Sequence, residues 1–177
     1  APEEPNTAFW GPRDVLIDSQ DRVFVSDTGN KRVRVYDVSG PVPNWLYDIG
    51  EGGSDLGQLN EPSGLAVHSD GRLFVADTWN RRIAVFTSTG EFLNNYRVRG
   101  WYEEQGNRPY LAIDENLDLL YVTDPDVGRV LVYNTQGDCV GSFAQGTNSE
   151  PTLGQIGIAA GIAIDDEGFV YVVDNQF

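Results

Sequence analysis

One pattern recurs four times along the chain and constrains its fold more than any other feature. An apolar run ends in aspartate as VFVSD, LFVAD, LYVTD and VYVVD, which places the four aspartates at Asp27, Asp77, Asp124 and Asp174. The spacings between them are 50, 47 and 50 residues. A period of about this length is typical of a unit of four short strands. The sequence therefore predicts a chain built from repeated four-stranded units.

The residues around each aspartate predict the order of strands within a unit. A first apolar segment (VLID, LAVH, LAID or IAID) leads through a polar turn into the second strand, which ends at the aspartate. An arginine five residues later opens the third strand, and a glycine turn precedes the fourth. The arginines are Arg32, Arg82 and Arg129, and the turn glycines are Gly40, Gly90 and Gly137.

The second strands are apolar at successive positions, as Val23, Phe24 and Val25 illustrate. A sheet with one wet face would alternate apolar with polar residues, so this pattern predicts that both faces are buried against neighbouring units. Such units can be arranged radially as a propeller or linearly as a solenoid, and short antiparallel strands at this repeat length favour the propeller. The predicted fold is all-β: three complete blades and the start of a fourth.

We expect a single partial domain over residues 1–177, with blade units at about 11–60, 61–107 and 108–157 and an incomplete unit at 158–177. Three and a half blades leave strand edges and blade faces uncovered, and uncovered edges invite pairing. We therefore expect the remaining blades to come from the rest of a parent chain or from a second copy. The first residue, Ala1, and the lack of methionine agree with a chain excised from a longer one.

Composition excludes several classes of partner and site. The chain has 27 acidic and 12 basic residues, for a net charge of −15, which would repel nucleic acid. Cys139 is the only cysteine, so neither an internal disulfide nor a thiolate pair for zinc is possible. No apolar run is long enough to cross a bilayer, and we expect no direct membrane insertion by this segment.

The segments DTGNKRVRVYD and DTWNRRIAVFT resemble NHL repeats, and the resemblance extends essentially from residue 9 to residue 177. It implies a propeller of usually six blades. It also implies that the connectors before the first strands and the loops between second and third strands share one rim. The third copy departs from the pattern, with DPDVGRV and one extra residue before Asp124.

A second resemblance is to the extracytoplasmic NHL region of large multi-spanning bacterial membrane proteins with glycosyltransferase-like membrane parts. The segments that carry it are GPRDV, GEGGSDLGQLNEPSGLAV, RGWY with RPYLAID, and YVTDPDVGRVLVY. It implies a cell-surface location and a catalytic portion elsewhere in the parent protein. This segment would then sense, bind or position.

Large aromatic side chains and cations fall in the connectors and loops that should share one rim. Exposed aromatics beside arginines are common in protein interfaces, and aromatic faces also stack on sugar rings. The alternative is that each tryptophan fills a gap between blades. The candidate binding residues are Trp10, Arg13, Trp79, Arg81, Trp101, Tyr102, Arg108 and Tyr110, with Lys31 on the same rim.

The recurring aspartates have a structural interpretation, because a short carboxylate that accepts backbone N–H groups suits the exit from a strand into a turn. We expect each to contact the arginine that opens the next strand. A single active site rarely needs four equivalent copies. The predicted structural set is Asp27, Asp77, Asp124 and Asp174 with Arg32, Arg82 and Arg129.

Signals for catalysis are absent from the sequence. His68 is the only histidine, whereas the zinc site of some NHL-fold lyases needs three or four ligands. Propeller hydrolases hold calcium with carboxylate and amide oxygens, but EGGSD at residues 51–55 has the glycine content of a connector. We therefore predict no cofactor and a non-catalytic binding or scaffold module for a protein or glycan. The alternative is a channel-centred metal-dependent hydrolase or lyase.

Overall fold

The structure is a computed structural model that describes residues 8–101, 108–144, 146 and 154–175. Within these residues the regular structure is β-strand, apart from a short 3-10 turn at Thr28–Asn30. No helix in the described part is long and apolar enough to cross a membrane. The strands are β1 Val15–Ile17, β2 Arg22–Asp27, β3 Arg32–Asp37, β4 Asn44–Ile49, β5 Pro62–Val67, β6 Arg72–Asp77, β7 Arg82–Thr87, β8 Phe92–Arg97, β9 Leu111–Asp114, β10 Leu119–Asp124, β11 Arg129–Asn134, β12 Cys139–Phe143, β13 Ala159–Ile164 and β14 Val170–Asp174.

The strands form three four-stranded antiparallel sheets in which consecutive strands are neighbours, followed by the pair β13–β14. The three complete blades are β1–β4, β5–β8 and β9–β12. This arrangement confirms the predicted fold class, a partial propeller with three blades and the beginning of a fourth. Each complete blade also has an irregularity at the same place between its third and fourth strands, next to Tyr36, Phe86 and Tyr133.

The hydrophobic core lies between the blades rather than within one of them. In β6, Leu73 and Val75 belong to the cluster shared with the first blade, whereas Phe74 and Ala76 belong to the cluster shared with the third. All four side chains are fully buried. For β6 the prediction that successive residues of a second strand are buried on both faces is therefore confirmed, whereas Tyr171 and Val173 of β14 are exposed.

The first strands of the blades lie side by side, since β5 contacts both β1 and β9, and β9 contacts β13. Adjacent blades are joined here by hydrogen bonds from Thr28 Oγ1 to Pro62 O at 2.6 Å and from Gly64 N to Pro109 O at 2.9 Å. A Cβ on Gly64 would lie 2.5 Å from the Tyr110 Cα. Only glycine permits this approach of two backbones.

The fold has two rims. We call the connectors before the first strands, together with the loops between second and third strands (residues 28–31 and 78–81), the upper rim. The turns between first and second strands (residues 18–21, 68–71 and 115–118) lie on the opposite side and form the lower rim.

Candidate functional site

A hydrogen bond that recurs at a separation of seventeen residues anchors the upper rim. The Trp10 amide donates to Asp27 Oδ1 at 2.8 Å, and the Asn60 amide donates to Asp77 Oδ1 at 2.6 Å. In the fourth unit the Gly157 amide donates to Asp174 Oδ2 at 2.8 Å. The repeating aspartates therefore fix the connector that enters blade 1, blade 2 and the fourth unit.

The same carboxylates bind the arginine that opens the third strand. The Nε–Oδ2 distances are 2.9 Å for Arg32–Asp27, 2.7 Å for Arg82–Asp77 and 2.8 Å for Arg129–Asp124. The three aspartates are fully buried. They stabilise the rim from beneath and offer no surface to a ligand.

Burial raises the pKa of Asp77 and of Asp124, because the charged carboxylate loses its hydration. The guanidinium of Arg82 or Arg129 acts in the opposite direction. For Asp77 the Asn60 amide and the Asn80 side chain, which also donate to the carboxylate, oppose the effect of burial together with the arginine.

Tryptophan occupies equivalent parts of the rim in the first two blades, but from different segments. In blade 1, Trp10 of the connector covers Gly29 of the loop, and the Gly29 amide donates to Trp10 O at 2.8 Å. In blade 2 the residues are exchanged: Asn60 lies in the connector, Trp79 lies in the loop, and the Trp79 amide donates to Asn60 O at 3.1 Å. A Cβ on Gly29 would lie 2.7 Å from the Trp10 carbonyl oxygen and 2.8 Å from Trp10 Cγ, so the blade 1 loop has no room for a side chain at this position.

A cavity of about 310 Å³ opens on the upper rim beside Trp10. The Trp10 side chain is 71% exposed. Lys31 and Glu61 supply one positive and one negative charge to the lining, and Arg13 also lines the cavity. The cavity thus combines an accessible aromatic face with polar groups of both signs.

Comparison with known proteins supports the family resemblance of the repeats. The NHL repeat matches residues 9–36 and 59–86. No curated protein matches the chain. Among solved structures, virginiamycin B lyase from Staphylococcus aureus superimposes with a TM-score of 0.64 at 16% identity, over 90% of this chain and 47% of that one.

Two further solved structures extend the likeness. Hydrazine synthase from Kuenenia stuttgartiensis has a TM-score of 0.66 at 14% identity, over 98% of this chain and 46% of that one. A structural genomics protein of unknown function from Bacteroides thetaiotaomicron has a TM-score of 0.69 at 22% identity, over 90% of this chain and 41% of that one. This chain is a partial β-propeller whose first two blades contain NHL repeats. It spans about half the length of these solved structures, and at such identities the likeness establishes the fold alone.

Trp101 was predicted to be exposed on the binding rim, and that placement is wrong. Its side chain is 2% exposed and packs with Val98 and Leu111 in the core between blades 2 and 3 of the propeller. It follows Gly100, whose φ of +101° suits glycine at the turn that precedes the indole. The alternative expectation, a tryptophan that fills a gap between blades, describes Trp101.

The remaining candidates divide between exposed and half-buried positions. Arg108 is exposed, whereas Trp79 and Arg81 are half-buried, and Tyr102 lies outside the described residues. The structure brings two candidates together: the Tyr110 hydroxyl donates to the Arg13 carbonyl at 3.4 Å, which links blade 3 to blade 1 of the propeller.

His68 lies on the lower rim, directly after β5. Its Nδ1 accepts the Asp70 amide at 3.0 Å. The described residues contain no group of three His, Cys, Asp or Glu side chains that could hold a metal ion. A cavity of about 430 Å³ here, lined by Asp18, Arg22 and His68 among others, was not anticipated from the sequence.

Two acidic residues with contacts near the upper rim were not among the candidates predicted from the sequence. Glu61 lines the rim cavity. Its position in the EPSG segment, directly before the first strand of blade 2, is the sequence feature that could have indicated this. Asp14 stands where the second copy has Gly64, and its Oδ2 accepts the Leu65 amide of the next blade at 2.8 Å. Burial raises the pKa of Asp14.

Proposed function

We propose that this propeller is a non-catalytic binding or scaffold module whose upper rim receives a protein or glycan partner. The observation that carries the proposal is the Trp10 indole, which is 71% exposed on a cavity that also contains Lys31 and Glu61. An accessible tryptophan beside charged groups offers a large contact area and directional polar contacts in one place.

The second indole supports an extended rather than a point-like ligand. Trp79 lies on the same rim in the neighbouring blade, at the loop position equivalent to Gly29. A ligand that spans blades 1 and 2 would therefore meet an aromatic group on each. Arg81 belongs to the same loop and adds a cation near the second contact.

Alanine substitution of the two tryptophans tests the proposal. We expect Trp10→Ala and Trp79→Ala each to weaken binding by about tenfold or more, because anchor residues commonly account for about 2 kcal/mol. Glycan arrays and cross-linking to membrane and periplasmic extracts would identify the partner class with the unaltered protein. Leu117→Ala is the matched control, since Leu117 is 63% exposed on the lower rim. Partner binding that survives both tryptophan changes would contradict the proposal.

The alternative, a channel-centred metal-dependent hydrolase or lyase, is tested separately. The likeness to virginiamycin B lyase concerns the fold at 16% identity. Calcium and zinc titrations followed by thermal unfolding discriminate between the two functions, because a metal that binds the native state raises Tm. A metal-dependent rise in Tm would favour the alternative.

We further propose that the module is one part of a larger extracytoplasmic, membrane-anchored protein. Apolar side chains on the two terminal blade faces support a larger propeller: Val15 and Ile17 are 64% and 58% exposed on blade 1, and Tyr171 and Val173 are 58% and 60% exposed on the last strand pair. The equivalents in blade 2, Leu65 and Val67, pack against the neighbouring blade. The covering blades come from the parent chain or from a second copy, which light scattering on the parent protein distinguishes.

A further inference from the structure

A third cavity, of about 730 Å³, lies at the seam between blades 2 and 3 and shares no lining residue with the rim cavity. The seam is where β8 of one blade faces β11 and β12 of the next. The residues that matter are Arg97, Arg99, Arg129, Tyr133, Cys139 and Ser142.

The cavity exists because small residues replace large ones at this seam. In blade 2, Phe92 pairs with Phe86, and the two rings meet edge to face at 5.7 Å where blades 1 and 2 join. The equivalent pair in blade 3 is Cys139 with Tyr133. The thiol is far smaller than a phenyl ring, and Gly141 follows it on β12. All five residues of β12, the edge strand of blade 3, are exposed.

Positive charge is concentrated at this seam. The chain has 12 basic residues against 27 acidic ones, yet three arginines line this one cavity with a single carboxylate, Asp138. Arg97 and Arg99 are exposed, and their side chains make no ion pair or hydrogen bond within the described part of the chain. Arg97 also lies directly across the sheet from Arg82, and like charges at such a position are unfavourable.

Only one nitrogen of the Arg129 guanidinium is hydrogen-bonded within the described residues. Its Nε binds Asp124 at 2.8 Å, as in the other blades. The terminal nitrogens of Arg82 reach three carbonyl oxygens in the connector of blade 2. Those of Arg129 have no acceptor among the described residues, and the side chain is 23% exposed. Within the described part of the chain they are open to an acceptor in the cavity.

We propose that this seam, between β8 and β12, is a binding site for a small molecule that carries one oxyanion group, a carboxylate, phosphate or sulfate ester. Guanidinium groups match the geometry of such oxyanions with paired N–H donors. The cavity volume falls within the range of small-molecule sites, and Tyr133 and Leu131 line it beside the polar groups. The chain as a whole has a net charge of −15 and repels anions, but the three arginines of the seam attract an anion locally.

Cys139 can report the electrostatic potential at the seam through its reaction with charged and neutral reagents. It is the only cysteine of the chain, is exposed and lines the cavity. The rates of alkylation by anionic iodoacetate and by neutral iodoacetamide are compared by mass spectrometry. We expect Arg97→Gln with Arg99→Gln to lower the iodoacetate-to-iodoacetamide rate ratio by about two- to fivefold at low salt. Salt at about 0.5 M should lower the ratio in the unaltered protein by a similar factor.

The matched control is Lys31→Gln with Arg108→Gln, which removes the same charge outside the seam. This control should leave the rate ratio unchanged, whereas it removes cations from the upper rim. The alkylation rate ratio therefore reports on the seam, and partner binding reports on the upper rim, so failure of the seam site is distinguishable from failure of the rim function.

Ligand binding is tested by calorimetry with glucose 6-phosphate, glucuronate, inorganic phosphate and uncharged glucose. We expect the anionic probes to bind, glucose not to bind, and the Arg97/Arg99 double variant to lose about tenfold or more in affinity. Inorganic phosphate that binds as tightly as the sugar phosphate would support the site and identify the free ion as sufficient. Absence of binding by every anionic probe, or a rate ratio unaffected by loss of both arginines, would overturn the proposal.

Discussion

Arg82 Nε lies 2.7 Å from Asp77 Oδ2, and the same guanidinium donates to the carbonyl oxygens of Ser54, Asp55 and Gln58 at 3.3, 2.9 and 2.7 Å. One buried side chain thereby joins the second strand, the third strand and the connector of blade 2. Because Asp77 also accepts the Asn60 amide, the two residues together determine the position of the upper rim.

Arg82→Gln should therefore be strongly destabilising. It leaves the Asp77 carboxylate buried without its cation and frees three connector carbonyls, and the loss of one partner of a buried ion pair costs about 3–5 kcal/mol. Urea unfolding measures the change. Arg129→Gln is the matched comparison, since Arg129 binds only its aspartate in the described structure and is more exposed, and we expect a smaller loss. Equal losses for the two variants would show that the connector contacts contribute nothing.

The exchange of tryptophan between blades predicts a double-mutant cycle. Gly29→Trp should be destabilising by about 1–3 kcal/mol, because the new side chain would occupy the space of the Trp10 indole. Trp10→Asn in the same chain should restore part of the stability, because it removes the indole contact but leaves the backbone oxygen of residue 10 only 2.7 Å from the new Cβ. The coupling free energy from thermal or urea unfolding of the four proteins is the readout. Additive effects would mean that the two blades do not share this rim geometry.

The blade architecture was predictable because its determinants are local and repeated. The strand-final aspartate, the arginine five residues later and the apolar second strand recur at a fixed spacing, and any chain that pairs Asp77 with Arg82 in register must turn tightly between them. Burial on both faces followed from Phe74 between Leu73 and Val75, since no face was left for water.

The candidate site was less predictable because exposure depends on which way a turn directs a side chain. Trp10 and Trp101 both lie in connectors, but Gly100 precedes the indole that is buried between blades, whereas Trp10 lies outside its blade. The seam cavity depends on the absence of bulk at Cys139 and Gly141, and a small residue gives little signal until the neighbouring blade is in place.

The burial of Trp101 leads to a stability prediction that contrasts with Trp10. Trp101→Ala should lower the free energy of unfolding by about 3–5 kcal/mol, because it removes the largest fully buried side chain from the core between blades 2 and 3. Trp10→Ala should cost less than about 1 kcal/mol, since most of its side chain is already in water. Urea midpoints of the two variants test the difference. A mild effect at Trp101 would place its indole outside the core.

Acid sensitivity should depend on the ion pair between Asp18 and Arg22 on the lower rim. Burial raises the pKa of Asp18, but the Arg22 guanidinium at 2.6 Å and the amides of Arg22 and Gln20 outweigh it, so the pKa lies below its ordinary value of 3.8. A carboxyl with a lower pKa in the folded state stabilises fully above the ordinary value and loses that contribution as pH falls through the lowered one. Asp18→Asn should therefore flatten the decline in stability on acidification below about pH 5, measured by urea unfolding across pH.

Asp21→Asn is the control, because Asp21 is exposed in the same turn and its carboxylate has no partner in the described structure. An acid limb that is unchanged in Asp18→Asn, or equally flattened in Asp21→Asn, would remove the ion pair as the cause.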